Sequence, residues 1–214
     1  MNLLPFFITA FSLLFSDTST ITDSRDGQTY KVVKIGDYWW FQEDLRYYAP
    51  GSYCDDKNHK KDCCKASNFY SFDNLGSVCP DGWHVATEEE WKSYLAHELE
   101  RHAMALNDLK LDTLPHPNNT YMYIDTTSTL QLTGDGSLLQ IANNGWIEGR
   151  RHKGTDSGNY WAPLNMDGQG TNHLHMNAER MFLHTHDHHI RDRKSNQRKF
   201  NVRCTCEGEI PQQP

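Results

Sequence analysis

Two runs of β-branched and aromatic residues, Thr29 to Ile35 and Tyr38 to Gln42, flank Gly36-Asp37 and predict a hairpin at the start of the folded chain. In the second run Trp39, Trp40 and Phe41 put aromatic mass on both faces of a strand, so at least one face must pack against another layer. The period changes after residue 86. Trp91, Tyr94, Leu95, Leu99, Ala103 and Leu106 recur at helical spacing and predict one amphipathic helix over about 87–107. Thr87 and Glu90 form a capping box at its start, with Ala86 and Trp91 as the hydrophobic staple. Just upstream, Cys79-Pro80-Asp81-Gly82-Trp83-His84 reads as a covalent anchor, a turn and a short buried strand. Pro115 and Pro117 end helical character, and short strands are expected at 121–124, 130–133 and 138–142. Asn143-Asn144-Gly145 then turns into Trp146-Ile147-Glu148, and a Gly-rich polar loop over 149–158 reaches Tyr160-Trp161. Final strands are expected at 181–186, 189–193 and 200–206, which makes the chain an α+β domain with one main helix against antiparallel hairpins.

A chain of 214 residues suits a single domain with a sizeable core. Its net charge of -7 argues against a nucleic-acid groove, because nothing on this scale compensates phosphate repulsion. The apolar run from Leu3 to Phe15 is too short to span a bilayer comfortably and has the length of a signal-peptide core, so residues 1–20 read as a leader, 21–208 as the domain and 209–214 as a tail. That predicts a secreted or cell-surface protein with no membrane span in its mature form. Six cysteines fit an oxidising compartment and imply disulfides, although six allow fifteen connectivities.

Four blocks of sequence resemble the Fibrobacter succinogenes major paralogous domain family. They are Asp26-Gly27-Gln28-Thr29-Tyr30-Lys31-Val32-Val33-Lys34-Ile35-Gly36 with Trp40, Glu43-Asp44-Leu45 and Tyr47; Cys79-Pro80-Asp81-Gly82-Trp83-His84 with Glu90-Trp91; Tyr160-Trp161; and Phe200-Asn201-Val202-Arg203-Cys204. The resemblance runs from about Asp23 to Cys204 and is similar in pattern to C-type-lectin-like and sulfatase-modifying-factor-like folds, an analogy of fold that carries no function. It implies a disulfide between Cys54 and Cys63 and another between Cys79 and Cys204. Cys64 and Cys206 are then left over and expected to pair with each other, since vicinal Cys63 and Cys64 would need strained geometry.

Histidine is the residue type that stands out. His173, His175, His184, His186, His188 and His189 fall within seventeen residues, and His184-Thr185-His186 on a strand puts two imidazoles on one face. With His188 or Asp187 as a third ligand this is a spacing suited to zinc, nickel or copper, set against an exposed hairpin whose polar positions are histidine. Asp55, Asp56, Asp156 and Asp167 lack any EF-hand order, so calcium is unsupported. No nucleophile elbow, His-Glu-x-x-His, phosphate loop or dinucleotide fingerprint is present, and Glu88-Glu89-Glu90 sits where carboxylates favour a helix dipole, so no enzyme is expected.

The expected function is therefore a non-catalytic binding or scaffold domain. Loops at 46–65 and 149–176 would present a recognition surface to a polysaccharide or a surface protein, with Trp146, Tyr160 and Trp161 as stacking candidates, set against a core role that fits Trp161 better. The alternatives are a structural subunit of a surface assembly and an enzyme of the sulfatase-modifying-factor type.

Overall fold

The computed structural model describes residues 17–54, 67–101, 110–112, 115–116, 119–120, 122–125, 137–169, 172–176, 180–184 and 198–212. An edge strand β1 (Thr18–Thr22) pairs antiparallel with β2 (Thr29–Ile35), which pairs in turn with β3 (Tyr38–Phe41). The expected hairpin is thus present, and Thr18 to Thr20, counted in the expected leader, are part of the sheet. In β2, Tyr30 and Val32 face one cluster of buried side chains while Val33 and Ile35 face another, so both sides of this sheet are covered. Trp40 and Phe41 divide in the same way, Trp40 towards the helix and Phe41 towards Trp83.

Next come the short pair β4 (Tyr53–Cys54) and β5 (Asn68–Phe69), then β6 (His84–Val85) and the helix α1 (Glu88–Arg101). The capping box is formed. The Thr87 amide donates to Glu90 Oε2 at 2.7 Å and the Glu90 amide to Thr87 Oγ1 at 3.3 Å, satisfying two donors that a helix start leaves without carbonyl partners. Ala86, Trp91, Tyr94 and Leu95 are buried against Val33, Ile35 and Trp40. Residues 102–107, the expected last turns of the helix, lie outside the described residues.

Beyond the helix run β7 (Lys110–Asp112), β8 (Pro115–His116), β9 (Asn119–Thr120) and β10 (Met122–Asp125). The expected strand at 130–133 lies outside the described residues, and the one at 138–142 is not formed. Leu139 and Ile141 are buried as a strand would bury them, but Gln140 between them has φ 46, a left-handed value that breaks the extended run. The hairpin of β11 (Trp146–Glu148) and β12 (Arg151–Lys153) follows, then β13 (Gly158–Trp161), β14 (His173–Met176) and β15 (Arg180–His184). Part of the expected Gly-rich loop is therefore strand β12, and residues 173–176 form a strand where a recognition loop was expected. β16 (Arg198–Lys199) and β17 (Cys204–Glu207) complete the chain.

One sheet has the order β1-β2-β3-β17-β6, and a second β13-β14-β15-β10-β7. The segment from Arg198 to Glu207 stitches the parts together. Its start pairs with β11, Phe200 bridges Tyr70, Asn201 bridges Tyr160, and its end lies between β3 and β6. The disulfide Cys79–Cys204 ties the turn before Trp83 to this segment. Past it, Ile210 packs on the core and Pro211 lies against Gly82, so the expected tail is partly docked. Among the described residues no helix is long and apolar enough to cross a membrane.

Candidate functional site

The expected stacking surface is not assembled. Tyr160 is 0% and Trp161 3% exposed, and both are hydrogen-bonded inside the core: Tyr160 Oη donates to Asp44 Oδ1 at 2.9 Å and Trp161 Nε1 to the Tyr70 carbonyl at 2.8 Å. Neither ring offers a face to a ligand. The corrected role follows from strand β13, which lies under both the helix and the closing segment. Trp146 differs, being half-buried at the base of the β11–β12 hairpin. Gly154 makes room for it, because at φ +60 a Cβ there would sit 1.9 Å from Trp146 Cζ3.

At the helix start, His84, Glu90 and Thr205 resemble an acid-base set. Nε2–H of His84 donates to Glu90 Oε1 at 2.7 Å, and the Thr205 hydroxyl donates to the same oxygen at 3.1 Å. Glu90 Oε2 also accepts the Thr87 hydroxyl at 2.8 Å. Every contact converges on a carboxylate that is 3% exposed, so the set holds β6, the helix and β17 together. Burial works against ionisation of Glu90, yet the His84 hydrogen bond and charge and the Thr87 donors outweigh it and hold its pKa below the ordinary carboxylate range. A folded-state pKa below the unfolded one means that the unfolded chain binds more protons in acid. The stabilisation is therefore present above the ordinary value of 4.5 and lost as pH falls through the lowered one. Glu90→Gln is expected to lower Tm at neutral pH and to flatten the fall of Tm below about pH 4.5. A wild-type slope retained in Glu90→Gln would assign the acid sensitivity elsewhere.

A second buried set surrounds Arg203, whose Nη2 lies 2.7 Å from Asp44 Oδ1 and whose Nη1 donates to the Phe41 carbonyl at 3.1 Å. Asn144 Nδ2 donates to Asp44 Oδ2 at 2.7 Å, which links the loop before β11 to the same carboxylate. These groups lie inside the frame, and their partners are one another.

The histidines divide. His186, His188 and His189 lie outside the described residues, and His184 ends β15, opposite His173 in register. The structure brings together instead His173 and His175 on β14. Leu174 and Met176 turn towards the helix-side core, which leaves the two histidines on the other face of the strand. Their Nε2 atoms stand 2.7 Å apart. The ring of His173 stacks on Phe200 with centroids 4.4 Å apart at 9°, and the ring of His175 meets Trp146 edge-on at 5.8 Å. The readable signal was His-x-His at 173–175, the same spacing that drew attention to 184–186.

Of the cysteines, the expected Cys79–Cys204 bond is formed. Cys54 and Cys206 stand as free cysteines, and Cys63 and Cys64, the partners expected of them, lie outside the described residues. Burial, with the nearby Glu90 carboxylate, pushes the Cys206 thiol up to about 12.

The family model for the Fibrobacter succinogenes major domain matches residues 33–205. No curated protein and no solved structure matches the chain.

Proposed function

The chain belongs to the Fibrobacter succinogenes major domain family, and from that premise we propose that it is an exported or cell-surface domain that binds a partner without catalysing a reaction. The observation that carries this reading is that the acid-base residues of the family-like blocks are consumed by the frame. His84, Glu90 and Thr205 bond one another, as do Asp44, Arg203 and Tyr160, so recognition falls to the loops. One helix against antiparallel sheets with long irregular connections supports a C-type-lectin-like arrangement, and the Cys79–Cys204 bond supports an oxidising compartment.

A protein ligand is favoured over a polysaccharide. Tyr160 and Trp161 are withdrawn from the surface, while Leu164 and Met166, 59% and 55% exposed, stand on a turn closed by the Leu164 amide donating to the Gln169 carbonyl at 2.6 Å. A sulfatase-modifying-factor-type enzyme would need an activated thiol; burial shifts Cys206 the opposite way, which leaves half-buried Cys54 as the other free thiol among the described residues.

Fractionation of the native cells, with N-terminal sequencing and thiol mapping, is expected to find the protein outside the cytoplasm with Cys79 bonded to Cys204. Immobilised protein should retain a cell-surface protein, and Leu164→Ser with Met166→Ser should weaken that retention about tenfold at unchanged Tm. A cytoplasmic protein with Cys79 reduced would overturn the export reading, and retention indifferent to the two serines would overturn the turn as the binding surface.

A further inference from the structure

We propose that β1 is an interface strand, through which two copies of this chain join their sheets edge to edge. β1 is the outermost strand of the order β1-β2-β3-β17-β6 and pairs with β2 alone. The phase of that pairing is fixed at both ends: the Lys34 amide donates to the Asp17 carbonyl at 2.8 Å, and the Asp23 amide to the Gln28 carbonyl at 2.8 Å. An antiparallel ladder alternates, so Ser19 and Ile21 bond inward to Val32 and Tyr30, while the N–H and C=O groups of Thr18, Thr20 and Thr22 point away from the sheet. All three threonines are exposed, and among the described residues no strand pairs with that side of β1.

An open edge is commonly guarded by charge, proline or a bulge. The edge strand β12 follows that rule, with Arg151 and Lys153 exposed on it. β1 does not: it reads Thr-Ser-Thr-Ile-Thr, uncharged and rich in β-branched residues. The edge is also self-complementary. A two-fold axis through Thr20 sets Thr18 against Thr22 of the second copy, Thr20 against its own equivalent and Thr22 against Thr18, and every such pair exchanges two N–H···O bonds. The acidic residues this register brings opposite each other are Asp17 and the second copy's Asp23, whose carboxylate is buried and held by Arg25 Nη2 at 2.7 Å. A second copy is therefore the occupant, because one register satisfies every outward group and leaves Asp23 neutralised. With a net charge of -7 on each copy and a contact of one five-residue strand, the pairing is a reversible equilibrium and not an obligate dimer. The interface uses neither Leu164 nor Met166, so it stands or falls separately from the binding reading.

Sedimentation velocity of the mature chain across a concentration series is expected to show a monomer–dimer equilibrium. Amide hydrogen exchange at Thr18, Thr20 and Thr22 should slow as the dimer forms, and by more than at Ser19 and Ile21, which are already bonded within one chain. Thr20→Glu puts two carboxylates opposite each other on the axis, yet within one chain it sets a carboxylate beside Lys31, the cross-strand neighbour. It should weaken association at least about tenfold at unchanged Tm, and mixing it with Thr20→Lys should restore the dimer. A chain that stays monomeric throughout, a dimer indifferent to both substitutions, or a mature N-terminus beyond Thr20 would overturn the interface. Should the substituted chains fold poorly, the wild-type exchange pattern decides alone: edge amides that do not slow with concentration, or that slow only when another protein is added, count against the second copy.

Discussion

Asp44→Ala is expected to cost about 3–5 kcal/mol of folding free energy, the loss typical when one member of a buried ion pair is removed. Arg203 is 1% exposed, and burial opposes its charge; the Asp44 carboxylate outweighs that opposition. Without the carboxylate the guanidinium keeps only the Phe41 and Gln140 carbonyls and the Tyr160 hydroxyl, which solvate a full charge poorly. Tyr160 loses its acceptor at the same time, and Asn144 keeps only the Ser67 hydroxyl. Tyr160→Phe provides a scale, because it removes the hydrogen bond to the Asp44 carboxylate together with the longer one from Arg203 and should cost about 1.5–3 kcal/mol. The double change Asp44→Ala with Arg203→Met should recover part of the loss, since it leaves no buried charge behind. Urea denaturation followed by tryptophan fluorescence, run on wild type and the three variants, gives these numbers. A cost below about 1 kcal/mol for Asp44→Ala would mean that the guanidinium finds another anion or water, and the pair would then be a bystander.

This buried network is also where reading the sequence fell short. Glu43-Asp44-Leu45 and Val202-Arg203-Cys204 are polar insertions in apolar runs, and Asp or Arg there reads as a solvated strand end unless the partner, more than 150 residues away, is known. The same limit explains β1, where only Ile21 of Thr18–Thr22 is buried, so no alternation marks a strand and the sheet edge is set by pairing with β2. Residues 138–142 show the converse: alternating burial of Leu139 and Ile141 imitates a strand that the backbone at Gln140 does not make. What was legible was local. The Gly36-Asp37 turn, the Thr87–Glu90 cap and the helical spacing of Trp91, Tyr94 and Leu95 each depend on residues a few positions apart, and each is formed. For the candidate site, the His-x-His pattern was visible but its location was not. The pair that faces together at 173 and 175 is set by a strand whose other face, Leu174 and Met176, belongs to the core.

Removal of the Cys79–Cys204 bond by Cys79→Ala with Cys204→Ala is expected to cost about 2–5 kcal/mol. The two cysteines are 125 residues apart, and closing a loop of that length in the unfolded chain corresponds to about 5 kcal/mol of lost conformational freedom. In the folded state the bond adds little constraint, because β17 is already fixed by its pairing with β3 and β6 and the turn before β6 is held by the Trp83 amide donating to the Pro80 carbonyl at 2.9 Å. The effect should therefore appear as a destabilised protein with its native fold intact, and the unfolding midpoint should fall while the near-ultraviolet signal of the packed tryptophans is unchanged. Denaturation with and without dithiothreitol separates the contributions. Reduced wild type should coincide with the double-alanine protein, and a double-alanine protein that still responds to reductant would reveal a second bond involving Cys63 or Cys64. If the midpoint of the double-alanine protein matches that of oxidised wild type, the strand pairings around β17 alone determine the stability of this frame.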